Sequence, residues 1–344
     1  MFNTKACFFR ALLVAAAIVS PAFASPMKAI VGGVESAIGE FPYFVHYCCG
    51  GTLIAPDIIL TAAHCADEEE DADRCSAMSH DYDYYIGAYE PGETTGGAQI
   101  RKCAEWILHP LWDEETWDYD IALVKLNEPV TIDESVVTLE LNEDASFPSD
   151  ESNFIVMGLG NTDRYETPDG LYDTWDGDEA DILQKLTQKV VGNEECNRLL
   201  DGGVTDAMMC GIDPEGDWTD NGRGDSGGPI VVRVDQGGGT FKDTLVGVTS
   251  WGSFNYCEGD TLCPAVYART SSVMEWIKTT ACGTFNSVAD FCPTSSSKSS
   301  KSKSEKSSKK SKSSKKSKST KAPTKPPTMA PTKASKKTKS PKKS

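Results

Sequence analysis

Three side chains with complementary chemistry lie in short strings along the chain. An imidazole sits in Thr61-Ala62-Ala63-His64-Cys65, a carboxylate in Asp120-Ile121-Ala122-Leu123, and a hydroxyl in Gly224-Asp225-Ser226-Gly227-Gly228-Pro229. A serine hydroxyl is a poor nucleophile at neutral pH. Attack on a carbonyl therefore needs an imidazole to take its proton and a buried carboxylate to hold that imidazole in one tautomer. The charge that develops on the carbonyl oxygen needs fixed donors, and glycines beside a serine let backbone N–H groups converge there. Loss of one such donor costs about 3 kcal/mol of transition-state stabilisation. The same stretch, DNGRGDSGGP from Asp220 to Pro229, also spells the adhesive tripeptide Arg223-Gly224-Asp225. Each string has a plainer alternative: His64 as a core histidine like His46 or His109, Asp120 as a surface carboxylate, and the glycine-rich string as a turn. Taken together, those alternatives require independent coincidences in one chain order.

The segments that must position these residues are short and apolar, broken by Gly, Pro, Asn and Asp: YFVHY, GTLIA, DIILTAA, DYYIGAY, IALVKL, FIVMGLG, PIVVRV and TLVGVTSWG. Such spacing indicates an all-β barrel or sandwich. SSVMEWIKTT reads as one amphipathic helix with Val273, Trp276 and Ile277 on a face.

Both ends differ from this middle. Lys5 and Arg10, the run ALLVAAAIVS and Ala22-Phe23-Ala24 form a secretory signal over residues 1–24 with a small-residue cleavage site, too short to span a membrane. From Thr294 to the end, Ser, Lys, Thr and Pro dominate, a composition that cannot bury a core and predicts a disordered basic tail. That tail carries 18 lysines against the single Glu305, a charge of +17. With the whole chain at −17, residues 30–293 hold −37 once Lys5, Arg10 and Lys28 are also set aside. A strongly acidic globule is thus joined to a strongly basic tail, which bears on steering and partners rather than on fold. Twelve cysteines become eleven after loss of Cys7. In an exported chain they point to disulfides, and with no CxxC pair or His cluster no metal or cofactor is expected.

With Ile30-Val31-Gly32-Gly33 upstream, and with His before Asp before Ser, the chain resembles the chymotrypsin/trypsin family of serine proteases over roughly residues 30 to 280. The resemblance implies two antiparallel six-stranded β-barrels with the active site between them, a C-terminal helix, and a protease domain spanning residues 30–293. It implies Ser226 as nucleophile, His64 as general base, Asp120 as the carboxylate behind it, and the N–H groups of Gly224 and Ser226 as the oxyanion hole. It also implies a zymogen: removal of a short propeptide, residues 25–29, would free the Ile30 amine to pair with Asp225. Breaking a buried pair of that kind costs roughly 3–5 kcal/mol. Here Ala29 precedes Ile30 and Lys28 lies one place earlier, so a cut after Lys28 leaves one residue too many. Activation needs an enzyme that cuts after small residues, or a second trimming step.

Six residues before the nucleophile, Asp220 matches the carboxylate at the base of the trypsin-like specificity pocket, which selects Lys or Arg. Its plainer alternative is a solvated loop carboxylate. Ser250-Trp251-Gly252 matches the strand that binds the substrate backbone, with Gly252 keeping the pocket mouth open. Two departures stand out. Gly222 replaces a bridging cysteine, leaving Cys257 to pair with Cys263, and Ala265 in Pro264-Ala265-Val266-Tyr267 replaces a wall glycine, which narrows the slot and predicts weaker activity.

The resemblance pairs Cys49 with Cys65 and Cys196 with Cys210. Proximity suggests Cys282 with Cys292, Cys75 with Cys103 is a further pairing, and Cys48 is left over. Each bridge is worth about 2–4 kcal/mol. The acidic run Asp67-Glu68-Glu69-Glu70-Asp71-Ala72-Asp73 reads as a solvated charge run rather than a calcium site, because coordinating loops alternate their ligands. By the resemblance, the family's calcium-binding loop falls between Gly87 and Gln99, where Ala88 and Ala98 stand at the ends in place of the usual acids, so no calcium is expected there. Expected partners are protein or peptide substrates, with neither nucleic acid nor membrane and with a monomeric state. The tail could attract an anionic matrix or surface, or serve only solubility, and localisation is extracellular or at the cell wall. A protease-shaped adhesion or binding protein without activity is the rival reading.

Overall fold

The computed structural model describes residues 29–292 except 67–74, 76–81, 163–164, 167–171, 174–177, 216–219, 253–256 and 258–262. The signal segment, most of the propeptide, the acidic run and the tail lie outside the described residues.

The first sheet is made of β2 (Phe44–His46), β3 (Gly50–Ala55), β4 (Ile58–Thr61), β5 (Tyr84–Ile86), β6 (Gln99–Arg101), β7 (Cys103–Leu108) and β8 (Ala122–Leu126). These seven strands pair antiparallel in the order β6-β5-β2-β3-β4-β8-β7. Only Lys102 separates β6 from β7, so one bent run of chain supplies both edges and the sheet curls round on itself.

The second sheet holds β10 (Asn153–Gly158), β13 (Gln184–Val191), β14 (Met208–Ile212), β15 (Pro229–Gly237), β16 (Thr240–Trp251) and β17 (Ala265–Arg269). β13 pairs with both β10 and β14, which closes these six strands into a barrel. β1 (Val34–Glu35) adds to β13, and β9 (Glu140–Leu141) runs parallel to β16. β11 (Tyr165–Glu166) and β12 (Tyr172–Asp173) form a separate ribbon. The fold is all-β as expected, with one closed six-stranded barrel and one curled half-barrel in place of two closed barrels.

Alternation along the strands builds the interiors. Phe44, Leu53, Ile59, Ile86 and Leu123 are buried in the first half, and Phe154, Val156, Met209, Ile230 and Tyr267 in the second. Each such side chain contributes about 1.5–3 kcal/mol of transfer free energy.

The C-terminal helix Met274–Thr279 buries Met274 and Ile277, with Val273 at its start. Trp276 is only partly covered and meets the ring of His109 edge-on, centroids 4.8 Å apart. Beyond the helix, Phe285 and Ala289 pack on the core of the first half, and the Ser287 hydroxyl donates to Asp57 Oδ1 at 2.5 Å. Asp57 is also paired with Lys125 on β8. A second helix, Asn193–Leu199, was not evident from sequence periodicity, being only two turns long. It carries Glu194 and Glu195 in its first turn and Arg198 in its last, which suits its dipole.

Disulfides join Cys49 to Cys65, Cys75 to Cys103, Cys196 to Cys210, Cys257 to Cys263 and Cys282 to Cys292, while Cys48 is outside these bridges.

Candidate active site

His64 sits in a single 3-10 turn, Ala63–Cys65, right after β4, and Asp120 just ahead of the neighbouring β8. The pairing of these two strands brings the side chains together. His64 Nδ1 lies 2.7 Å from Asp120 Oδ2, and the His64 backbone N–H donates to Asp120 Oδ1 at 2.9 Å. Asp120 is buried, so two bonds to one histidine fix both ring and carboxylate. A third donor, the Ser250 hydroxyl, reaches Asp120 Oδ2 at 2.5 Å. Ser250 lies in β16, the strand that the resemblance assigns to the substrate backbone, and its hydroxyl bond to Asp120 was not foreseen from sequence.

Ser226 lies on the turn that enters β15, in the other half. Its carbonyl accepts the Gly50 N–H at 2.7 Å, and that bond crosses from the barrel to the curled sheet. The turn is packed tightly against the segment that carries His64. A Cβ on Gly227, whose φ is +79°, would stand 2.2 Å from Thr61 Oγ1 and 3.2 Å from the Ala62 nitrogen. Only glycine meets both the backbone conformation and the space. Among the described residues, the Ser226 hydroxyl and the N–H groups of Gly224 and Ser226 have no hydrogen-bond partner. Gly224 itself has φ +97°.

Asp225 points inward and is fully buried. Its Oδ1 accepts the Gly160 N–H at 2.8 Å and its Oδ2 the Gly222 N–H at 2.6 Å. Burial pushes the carboxyl up to about 7, against the pull of those two donors. A Cβ on Gly158 would fall 1.9 Å from Asp225 Oδ1, so the β10 backbone is part of this pocket. A buried aspartate is closed to an adhesion partner, which removes the RGD reading. Ile30 is buried against Phe154, Met209 and Tyr267, and Val31 forms a backbone bridge with Asp220, whose N–H donates to Val31 O at 3.0 Å.

Asp220, Gly252 and Ala265 converge. A Cβ built on Gly252 would lie 3.9 Å from Asp220 Oδ2 and 3.8 Å from Ala265 Cβ, so the three residues are close neighbours. Asp220 Oδ1 accepts the Asn221 N–H at 2.8 Å and Gln188 Nε2 at 3.3 Å. Its carboxyl is pushed up to about 7, first by burial and further by the charges of Asp225 and Asp213, although the residue retains partial exposure. Gly222 is not a vacant cysteine position: a Cβ there would stand 2.4 Å from the Asn161 carbonyl oxygen.

Sequence reasoning missed Trp117, whose ring is tilted against His64 at 4.8 Å between centroids. Trp117, Thr116, Val204, Thr205 and Trp251 line a groove of about 740 Å³ beside the site. Trp117 adopts φ +58°, a conformation that its sequence neighbourhood does not signal.

The His64–Asp120 pair in one half, the Ser226 turn bonded across to that half, and Asp220 beside Gly252 and Ala265 make up the candidate site. The Trypsin family model matches residues 30–277. The chain is 33% identical over 258 residues to Trypsin 5G1 of Aedes aegypti, covering 72% of this chain and 84% of that protein. It is 33% identical over 258 residues to Trypsin of Simulium vittatum, covering 70% and 91%, and 30% identical over 267 residues to Trypsin-1 of Astacus astacus, covering 73% and 100%. The chain belongs to the trypsin family and is a trypsin-like serine endopeptidase.

Proposed function

We propose that the protein is a secreted endopeptidase, made as a zymogen, that cleaves after Lys or Arg through an acyl-enzyme. Ser226 attacks the scissile carbonyl, and His64 takes its proton and later returns it to the leaving amine. Asp120 holds the imidazole and stabilises its charged form. The N–H groups of Gly224 and Ser226, which have no acceptor among the described residues, receive the oxyanion. The Ser226 hydroxyl has no bond to His64 here, and catalytic bonds of this kind often tighten only when substrate binds.

The observation that carries the specificity is the meeting of Asp220, Gly252 and Ala265 around one slot. A Lys or Arg side chain entering it would bring its charge to a carboxylate whose burial makes an unpaired negative charge costly, so a cationic partner is favoured. The Ala265 methyl narrows that slot and predicts slower turnover than a glycine there would allow. Activation would free the Ile30 amine, and the Ile30 side chain already lies in the buried cluster that holds Phe154, Met209 and Tyr267.

Labelling by a serine-directed reagent in the activated protein, lost in Ser226→Ala, together with cleavage of peptides that differ only in the residue before the scissile bond, tests this reading. No labelling would favour an inactive binding protein, and equal cleavage after Phe, Leu and Lys would remove Asp220 from its role. N-terminal sequencing of the mature form checks that it begins at Ile30.

A further inference from the structure

Gln188 projects from β13 into the closed barrel at a position where its inward neighbours on the strand are Leu186 and Val190. A primary amide buried there costs free energy unless its groups are paired. Both ends are paired. Nε2 donates to Asp220 Oδ1 at 3.3 Å, and Oε1 accepts the Tyr267 hydroxyl at 2.5 Å. Chemistry fixes which end faces which, because a carboxylate only accepts and the amide oxygen must meet the phenolic donor. The opposite strand makes room for the amide: a Cβ on Gly211 would stand 2.5 Å from Gln188 Oε1 and 2.3 Å from Phe154 Cζ. The Tyr267 hydroxyl has a second acceptor, Asn221 Oδ1, at 3.1 Å.

We propose that Gln188 is a positioning residue for primary specificity, holding Asp220 Oδ1 so that Oδ2 is the oxygen turned to the slot between Gly252 and Ala265. This rests on the reading of Asp220 as the base of that slot. It supplies a restraint on the carboxylate where Gly222 provides no bridge to the pocket wall. Among the described residues, the groups around Asp220 are the Asn221 N–H, the Gln188 amide, and the carboxylates of Asp225 and Asp213, with Tyr267 behind Gln188. In the uncleaved chain both carboxylates oppose ionisation of Asp220 and the two N–H donors favour it; an Ile30 ammonium beside Asp225 would cancel the opposition from Asp225 and leave the Gln188 bond as it is. Removing the Gln188 amide therefore loosens the carboxylate and disfavours its charged form together.

The test uses the activated full chain, wild type and Gln188→Leu, on peptides that differ only in Lys, Arg or Leu before the scissile bond, from about pH 5 to pH 9. The ratio of kcat/KM for Lys over Leu is expected to fall about tenfold in the variant, the scale of one hydrogen bond to a charged group. The acid limb for the Lys peptide is expected to move to higher pH while that for the Leu peptide stays. A core-filling glutamine would not shift one limb alone. If the wild type favours Lys and the variant keeps both ratio and limb, the role of Gln188 is overturned and that of Asp220 stands. If the wild type shows no preference for basic residues, the reading of Asp220 itself fails. Should Gln188→Leu not fold, Tyr267→Phe, which unties Oε1, carries the test: the same shifts to a smaller degree are expected, and their absence overturns the proposal.

Discussion

Asp120 grips His64 twice, taking the ring Nδ1 on one carboxylate oxygen at 2.7 Å and the histidine's own backbone N–H on the other at 2.9 Å. The carboxylate thus sets the imidazole against the backbone that carries it. Asp120→Asn keeps the shape but presents an amide that favours the wrong tautomer. A fall in kcat of about 10⁴-fold is expected, with the thermal transition little changed. Steady-state kinetics beside a melting curve check this, and a drop of less than tenfold would count against the arrangement.

Ala265→Gly should widen the slot. An increase in kcat/KM on Lys and Arg peptides of about tenfold is expected, at the low end of what one methylene is worth in a pocket. Peptides with small residues before the scissile bond should show little change, and a uniform rise for all substrates would point to loop mobility instead.

Burial pushes the Asp225 carboxyl up to about 7 from the usual 3.8, against the pull of the Gly160 and Gly222 N–H donors. Its folded pKa is raised, so the native state holds a proton that the unfolded chain releases. The stability it lends is present below about pH 4 and is lost as pH rises toward 7. Asp220 acts with the same sign, whereas Glu40, held low by Lys185 and Arg233, loses its contribution only on further acidification. Urea unfolding of the uncleaved chain should therefore show a lower midpoint at pH 8 than at about pH 5, with the difference reduced in Asp225→Asn. If cleavage places an amine beside Asp225, the part of that fall due to Asp225 should disappear and the part due to Asp220 should remain.

Asp57 ties the C-terminal segment to the first half by accepting the Ser287 hydroxyl while it pairs with Lys125. Asp57→Ala leaves a partly covered lysine without its partner and should destabilise by about 3 kcal/mol. Ser287→Ala, which removes one bond to a charge, should cost about 1.5 kcal/mol. Both are read from chemical denaturation, and equal small effects would mean that the segment is held by Phe285 and Ala289 alone.

Much of this was legible in the residues. The strand runs carried the fold, and the strings around His64, Asp120 and Ser226 carried the family, because those residues sit on turns at strand ends. The origin of both edges of the curled sheet in one run of chain was not legible, since a bend at Lys102 leaves no compositional mark. Nor was Gln188: a glutamine inside a strand reads as an exposed position until its partner, Asp220, is seen across the barrel. Ser250 was placed in the right strand and assigned to the substrate backbone, because hydroxyl direction depends on a rotamer that no spacing records. Trp117 escaped for a similar reason, as its positive φ aims a ring at His64 from a stretch that reads only as an acidic loop.

The bond from the Gly50 N–H to the Ser226 carbonyl also bears on how long a molecule stays active. The nucleophile's turn is anchored in the half that does not contain it, and a Cβ on Gly50 would stand 2.7 Å from Gly228 Cα, so the two surfaces meet without slack. An opening between the halves would part Ser226 from His64 even with both halves folded. If opened forms were cleaved faster than they reclose, working half-life would follow the rate at which this seam parts and not the equilibrium stability of either half.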